Sequence, residues 1–313
     1  MKTISFVTGC FNEEENIRET YTQITEMVKR FPAYKYEIII IDNASQDNTE
    51  SILREIAQTD PHVKVILNAR NFGHIRSPYH AMLQAKGDAA IFLASDLQDP
   101  PSLIPEFIRK WEEGFKIVIG AYRQSGDTFL FSWVRKAYYH LVGRFSEIEM
   151  IKNYTGFGLY DRRVLDVMHQ VSTPYPYFRG LICEIGFPRA VIEFDRPPRQ
   201  RGFSKNNFYT LYDMAMLGFT NHSKVPLRLA AMAGFVFALL SLLMATVYFF
   251  YKLLFWSSFS LGMAPVVIGL FFFSSVQLFF IGIIGEYIGA IHTQVMNRPL
   301  VVEKERINFD TGK

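Results

Sequence analysis

The run Asp96-Leu97-Gln98-Asp99-Pro100-Pro101 places two carboxylates and an amide directly after the apolar stretch 89–94. A buried strand would deliver those side chains to its own carboxyl end, the edge where open α/β sheets bind ligands. Oxygen donors of this kind suit a hard divalent cation, Mg²⁺ or Mn²⁺, which can in turn hold a diphosphate. The two prolines stop the strand and stiffen the turn. Taken alone, Asp-x-x-Asp also suits a helix N-cap, with Asp99 capping a helix that begins at the prolines. Its place after a buried strand favours the ligand reading.

A second group of polar residues lies at Arg199-x-x-Gly202-x-Ser204-Lys205. Arginine suits bidentate contact with a phosphate, and lysine acts as a point charge. A hinge at Gly202 would let such a segment move. The alternative for the same residues is a basic juxtamembrane patch on anionic lipid. His74, His80 and His140 show no metal-binding spacing.

These residues need a scaffold, and the first two hundred positions supply one. Segments 4–8, 38–41, 63–67, 89–94 and 117–121 read as strands. Segment 38–41 is four isoleucines, the mark of a central parallel strand. Helical spacing links Tyr21, Ile24, Met27 and Val28, and helices are expected at 49–58 and 77–85. The acidic run Glu13-Glu14-Glu15 suits a helix N-terminus. Strands separated by helices imply βαβ units and a mostly parallel sheet.

The length of 313 residues allows one large or two ordinary domains. With 49% hydrophobic and 20% charged residues the chain is not of disordered type. A net charge of +3 makes no case for nucleic acid. Cys10 and Cys183 give neither a disulfide framework nor a zinc quartet, which fits a reducing compartment. Met1-Lys2-Thr3 leads straight towards a strand, without a signal-peptide pattern.

Near residue 200 the character changes. Segment 227–251 carries one charge, Arg228 at its start, and 264–285 carries none. Each exceeds the ~20 residues needed to span hydrocarbon. With 252–263 as a link, the two would form a hairpin. Lys224 and Arg228 flank the first span; Arg298, Lys304 and Arg306 follow the second; only Lys252 lies between. That bias puts the domain and both termini in the cytoplasm. Segments 129–145 and 208–219 are aromatic-rich, suited either to the headgroup region or to amphipathic helices packed on the sheet.

Five motifs in order then carry a resemblance: Phe11-Asn12-Glu13-Glu14, Ile41-Asp42-Asn43-Ala44-Ser45, Arg70-Asn71-Phe72-Gly73, the Asp96 run and the Arg199 run. Together the chain resembles the family 2 glycosyltransferases, and more narrowly the polyisoprenyl-phosphate glycosyltransferases. The likeness covers nearly the whole chain. It implies an α/β GT-A nucleotide-sugar-binding domain over 1–204 and a juxtamembrane amphipathic segment over 205–226. Two transmembrane helices would fill 227–290, at about 227–251 and 264–288, and 291–313 would be a cytoplasmic tail. The implied reaction is inverting transfer from a nucleotide sugar, by default UDP-linked, to a polyprenyl phosphate on the cytoplasmic leaflet. The product would serve a cell-envelope glycan such as lipopolysaccharide or teichoic acid. A homo-oligomer, such as the tetramer many relatives form, is also implied.

The resemblance assigns roles. Phe11 and Glu13 would contact the nucleoside, and Asp42 the edge of its base. Asp96 and Gln98 would hold Mg²⁺ or Mn²⁺, with Ser95 among the substrate contacts. Arg123 would touch the donor or the acceptor phosphate. Arg199, Ser204 and Lys205 would lie on a mobile loop closing over the phosphates. Asp96, Asp99, Arg199 and Lys205 would form the catalytic set.

Three positions depart from that pattern. Ala94 replaces a carboxylate, Gly156 replaces an acidic residue proposed as a base, and Gly9 stands where proline is common. A phosphate monoester has a second pKa near ~6 and is largely dianionic at neutral pH, so it needs no base. A hydroxyl acceptor would need one, and Asp99 is the candidate. Two other readings stand beside this one, the second of them supported by Ala94 and Gly156. One is transfer to diacylglycerol or ceramide. The other is a silent membrane subunit that binds nucleotide sugar or lipid.

Overall fold

The protein is described from a computed structural model, over residues 1–123, 151, 153–171, 173, 175–195, 197, 225–255, 263–296 and 298–309. The strands are β1 (Thr3–Cys10), β2 (Lys35–Asp42), β3 (Val63–Asn68), β4 (Ala89–Phe92), β5 (Ile117–Tyr122), β6 (Tyr154–Asp161), β7 (Arg189–Phe194) and β8 (Glu303–Ile307). The helices are α1 (Ile17–Val28), α2 (Thr49–Thr59), α3 (Gly73–Leu83), α4 (Ile104–Glu112), α5 (Arg162–Gln170), α6 (Phe178–Glu184), α7 (Val225–Leu254) and α8 (Met263–Val295).

The eight strands form one sheet in the order β7-β5-β6-β4-β1-β2-β3-β8. β1 to β5 and β7 run the same way, and only β6 and β8 oppose them. The expected mostly parallel α/β sheet is therefore present. Its isoleucine strand shows why it is buried on both faces. Ile38 and Ile40 enter one core with Ile17, Ile24 and Phe107. Ile39 and Ile41 enter the other with Tyr79, Met82 and Leu165. Successive side chains of a strand point to opposite faces, so a run of four feeds both layers.

Expected boundaries shift for local reasons. β4 ends at Phe92; Leu93 N–H still reaches Val7 O of β1 at 3.1 Å, and Ala94 N–H then leaves the ladder for the Asp99 carboxylate at 2.9 Å. Helix α3 starts at Gly73 rather than 77, its first N–H held by Asn71 Oδ1 at 2.8 Å. Gly9 has its own explanation, since a Cβ there would lie 3.1 Å from Pro78 of α3.

The C-terminal segment corrects the domain boundaries. Residues 291–313 were expected as a tail outside the domain, yet β8 pairs antiparallel with β3, from Asn68↔Glu303 to Val65↔Ile307. Arg54 of α2 reaches Glu305, and Asn308 Nδ2 donates to Ala57 O and Val63 O. The last strand is an integral edge of the sheet.

Helices α7 and α8 pack through Phe237 against Phe272 and Phe273, ring centroids 6.4 Å apart in each case. Large apolar side chains point outward, among them Phe235 at 72% and Phe271 at 70% exposure. Within α8, Gly269–Val295 is long and apolar enough to cross a membrane, with mean hydropathy 1.6. The aromatic segments 129–145 and 208–219 lie outside the described residues.

Candidate functional site

The shared strand direction gathers the ends of β1, β2, β3, β4, β5 and β7 along one edge, together with the start of β6. Asn12, Ala44 and Leu97, which follow β1, β2 and β4, all have left-handed φ, at 54°, 62° and 61°. For residues with a side chain this conformation is held only when the surroundings over-determine it, and such strain concentrates at functional sites.

The surroundings here are dense. Asn12 N–H donates to Ser45 Oγ at 2.8 Å, and Asn12 Oδ1 accepts from Gln46 N–H at 2.8 Å. Glu13 N–H donates to Thr49 Oγ1 at 2.9 Å, and Glu14 accepts from the Asn48 backbone and side chain. The loop after β1 is thus zipped to the loop after β2. Asp42 lies beneath them, 1% exposed. Its carboxylate accepts from Ser45 Oγ, from Ser45 N–H at 3.0 Å and from the Cys10 thiol at 3.7 Å. Burial pushes its pKa up against those hydrogen bonds, which pull it down. Asp42, expected to meet the edge of the base, is buried at the end of β2 and holds the turn that follows it. Glu13 likewise turns inward, accepting from Asn16 Nδ2 at 2.7 Å, while Phe11 stays partly buried at the loop's start.

Asn43, next to Asp42, is a hub that sequence reasoning missed. Its Oδ1 accepts from Asn68 Nδ2 at 3.1 Å and from Phe72 N–H at 2.8 Å. Its Nδ2 donates to Asn71 Oδ1 at 2.9 Å and to Gly73 O. One amide ties the ends of β2 and β3 to the first turn of α3. The signal was present as three asparagines after two adjacent strands.

Around the Asp96 run each side chain has a distinct task. Asp96 is half-buried, and its Oδ1 accepts Gln98 N–H at 3.2 Å across the left-handed Leu97. Gln98 Nε2 donates to Pro197 O at 3.2 Å, which leaves its oxygen as the atom it can offer a metal. Ser95, expected among the substrate contacts, is 4% exposed and donates to Gly9 O at 3.0 Å, joining β1 to this loop. Asp99 is 2% exposed and accepts the Ala94 N–H. No side chain caps the 3₁₀ turn Pro101–Leu103, so Asp99 braces the loop rather than capping a helix.

Among the described residues no group of three or more His, Cys, Asp or Glu could hold a metal ion. A single carboxylate with an amide oxygen suits Mg²⁺ in one way, as an ion that keeps waters and takes its remaining ligands from substrate phosphates. The residues fit a substrate-borne ion and not an all-protein cage.

Arg123 follows β5 and is exposed, 3.7 Å from Glu193 and 3.5 Å from Asp195 at the end of β7. Gly156, in β6, has φ +113, and a Cβ there would sit 3.4 Å from the Phe92 ring. The absent acidic residue is thus tied to a backbone that side chains rarely adopt. Arg199, Ser204 and Lys205 lie outside the described residues.

Residues 5–175 match the family model described as glycosyl transferase family 2. "Uncharacterized glycosyltransferase YkcC" of Bacillus subtilis (strain 168) is 34% identical over 310 residues, covering 99% of this chain and 95% of the relative. "Bactoprenol glucosyl transferase" of Shigella phage SfII is 33% identical over 303 residues, covering 96% and 97%. Among solved structures, glucosyl-3-phosphoglycerate synthase from Mycobacterium tuberculosis in complex with UDP overlaps with TM-score 0.47 at 18% identity, covering 70% of this chain and 78% of that one.

Proposed function

This chain belongs to glycosyl transferase family 2, and from that premise we propose that it transfers a sugar, with inversion, from a nucleotide sugar to a polyprenyl phosphate at the cytoplasmic membrane surface. The observation that carries the reading is the likeness of nearly the whole chain, 96% of it, to a bactoprenol glucosyl transferase. The donor is taken as UDP-linked.

The floor of Asp42, Ser45 and Asn12 would receive the nucleoside beside Phe11 and Glu13. Asp96, with the oxygen of Gln98, would hold Mg²⁺ or Mn²⁺. When bound, that ion neutralises charge on the leaving diphosphate. Arg123, Arg199, Ser204 and Lys205 would bind phosphate oxygens, Arg in bidentate fashion and Lys as a point charge. The acceptor phosphate oxygen forms a bond to the anomeric carbon as the bond from that carbon to the diphosphate breaks, and nucleoside diphosphate leaves. The acceptor arrives already ionised, so Gly156 costs the reaction nothing and Asp99 serves by holding the loop.

The membrane arrangement has its own support. β7 precedes α7 and β8 follows α8, and both strands lie in one sheet. A chain that leaves the sheet and returns to it crosses a bilayer an even number of times. We therefore read α7 and α8 as a two-span hairpin, with the domain and both termini cytoplasmic and oligomers, tetramers included, formed between chains.

The test is full-length protein in detergent with undecaprenyl phosphate, Mg²⁺ or Mn²⁺ and a panel of nucleotide sugars, read as nucleoside diphosphate release. Release that needs both lipid phosphate and metal supports the reading and names the donor. Release that proceeds with diacylglycerol or ceramide in place of the polyprenyl phosphate moves the acceptor. Nucleotide binding without release on any acceptor makes the chain a silent subunit.

A further inference from the structure

Beyond the transfer site, a cavity of about 340 Å³ opens at the end of β3, lined by Ala69, Arg70, Phe72, Arg76, Pro299 and Val302, with Arg298 at its side. Three arginines line it, and two of them stack on one aromatic ring. The Cζ of Arg70 lies 4.1 Å from the Phe72 ring centroid, and that of Arg76 lies 5.3 Å from it. Arg76 donates to Pro299 O, and Arg70 donates to the Asn71 carbonyl at 3.1 Å. Among the described residues none of the three arginines has a carboxylate partner. Glu303, which follows Val302, is already held by His80 and Arg306.

Two further observations point to a missing anion. The Arg76 Nε is buried without a hydrogen-bond partner. Burial, with Arg70 and Arg298 beside it, pushes the Arg76 guanidinium below its usual pKa. Three cations gathered with no counter-charge among the described residues are unfavourable unless something negative joins them. The cavity also lies beside the N-terminus of α3, the end of a helix whose dipole favours negative charge.

Position identifies the anion. Arg298 stands three residues beyond Val295, the end of α8, whose apolar side chains face outward. A helix that crosses the bilayer would set this cavity at the headgroup layer. We propose that Arg70, Arg76 and Arg298 form a binding site for the phosphate of an anionic membrane phospholipid, which seats the edge of the sheet formed by β3 and β8 on the membrane surface. This inference rests on the reading of α8 as a membrane span. Phe72 supplies an apolar wall for the glycerol portion, and the arginines supply the charge. Each cation near an anionic surface strengthens binding about fivefold.

The test uses full-length protein in a neutral detergent, its melting temperature followed on adding lipid, because a ligand of the folded state raises it. The probes are phosphatidylglycerol, phosphatidylcholine, undecaprenyl phosphate and inorganic phosphate, each against wild type, R70Q/R298Q and R70K/R298K. The expected result is a rise with phosphatidylglycerol that exceeds the rise with phosphatidylcholine. It should weaken about 25-fold in lipid concentration in R70Q/R298Q and return in R70K/R298K. An equal response in wild type and R70Q/R298Q overturns the proposal. So does a response to inorganic phosphate alone, which would mark a free-anion site, or to undecaprenyl phosphate alone, which would mark an acceptor site. Extraction of the chain from membranes by alkaline carbonate tests the span separately. Release by carbonate removes the membrane reading, whereas retention without a lipid-dependent shift removes only the arginine site.

Discussion

The two halves of the site edge are built differently. At the ends of β1, β2 and β3, backbone and side-chain groups close on one another: Asn12 on Ser45 and Gln46, Glu13 on Thr49, Asn43 on Asn68, Asn71 and Phe72. At the ends of β5 and β7, Arg123 meets Glu193 and Asp195 only at 3.7 and 3.5 Å, all three exposed. Exposed pairs of this length contribute little, whereas a buried amide with every group satisfied fixes geometry. The contrast teaches a division of labour. On the proposed reading, one half would be set before the donor arrives and the other would adjust to a lipid acceptor. The Asp96 loop lies between them, braced from the rigid side by Ser95 and Asp99 and tied by Gln98 to Pro197 on the other.

The comparison can be broken first at its centre. D96N keeps an acceptor for Gln98 N–H but removes the charge. Turnover should fall about a thousandfold with an unaltered melting temperature. Full activity would remove Asp96 from the metal site.

The rigid half is also tied at the far ends of its strands, which K64M examines. Glu37 accepts from Lys64 at 2.6 Å, Ser5 at 2.6 Å and Lys86 N–H at 2.8 Å. Burial raises the Glu37 pKa, but these bonds outweigh it and hold the carboxyl below its ordinary value of 4.5. A depressed folded pKa stabilises above the unfolded value, and that stability is lost as pH falls through the folded one. K64M should cost about 3 kcal/mol at pH 7 by urea unfolding. The gap between variant and wild type should narrow below about pH 4. A gap independent of pH would contradict the assignment.

N43A removes the hub and leaves Asn68 and Phe72 N–H without their acceptor. We expect about 2 kcal/mol of lost stability and a raised KM for the nucleotide sugar. A variant with unchanged KM would show that the pocket floor does not need the hub. G156D should cost about 1–2 kcal/mol through its positive φ and give no gain in turnover. A gain would show that the acceptor does require a base. R123Q should change stability by under about 1 kcal/mol, with an effect on turnover that shrinks further in high salt. A large loss would place the adjustable half among the rigid parts.

Much of the donor half was legible because burial wrote it into composition. A run of four isoleucines can only be a strand covered on both faces, and the Asp96 run announces an edge by following one. β6 was not legible as a strand. Its sequence Tyr-Thr-Gly-Phe-Gly-Leu-Tyr-Asp carries two glycines, which ordinarily mark breaks, yet a Cβ at Gly158 would lie 2.4 Å from Val118 O. Close backbone approach demanded the glycine. β8 was hidden for the opposite reason. Glu303-Lys304-Glu305-Arg306 is almost wholly charged, as befits a sheet edge that must not invite another strand. Ser95 reads from sequence as a substrate contact and Asp99 as a base or a helix cap, while in the fold they brace Gly9 O and Ala94 N–H.

The return of β8 to β3 also sets an order of events during synthesis. Glu305 meets Arg54 across 251 residues of sequence. Until β8 leaves the ribosome, β3 remains an open rim with unpaired backbone groups. Both long apolar helices emerge before that rim can close. Completion of the sheet therefore waits on synthesis of both helices, so a chain stalled before β8 would carry an unfinished sheet prone to pair with its neighbours.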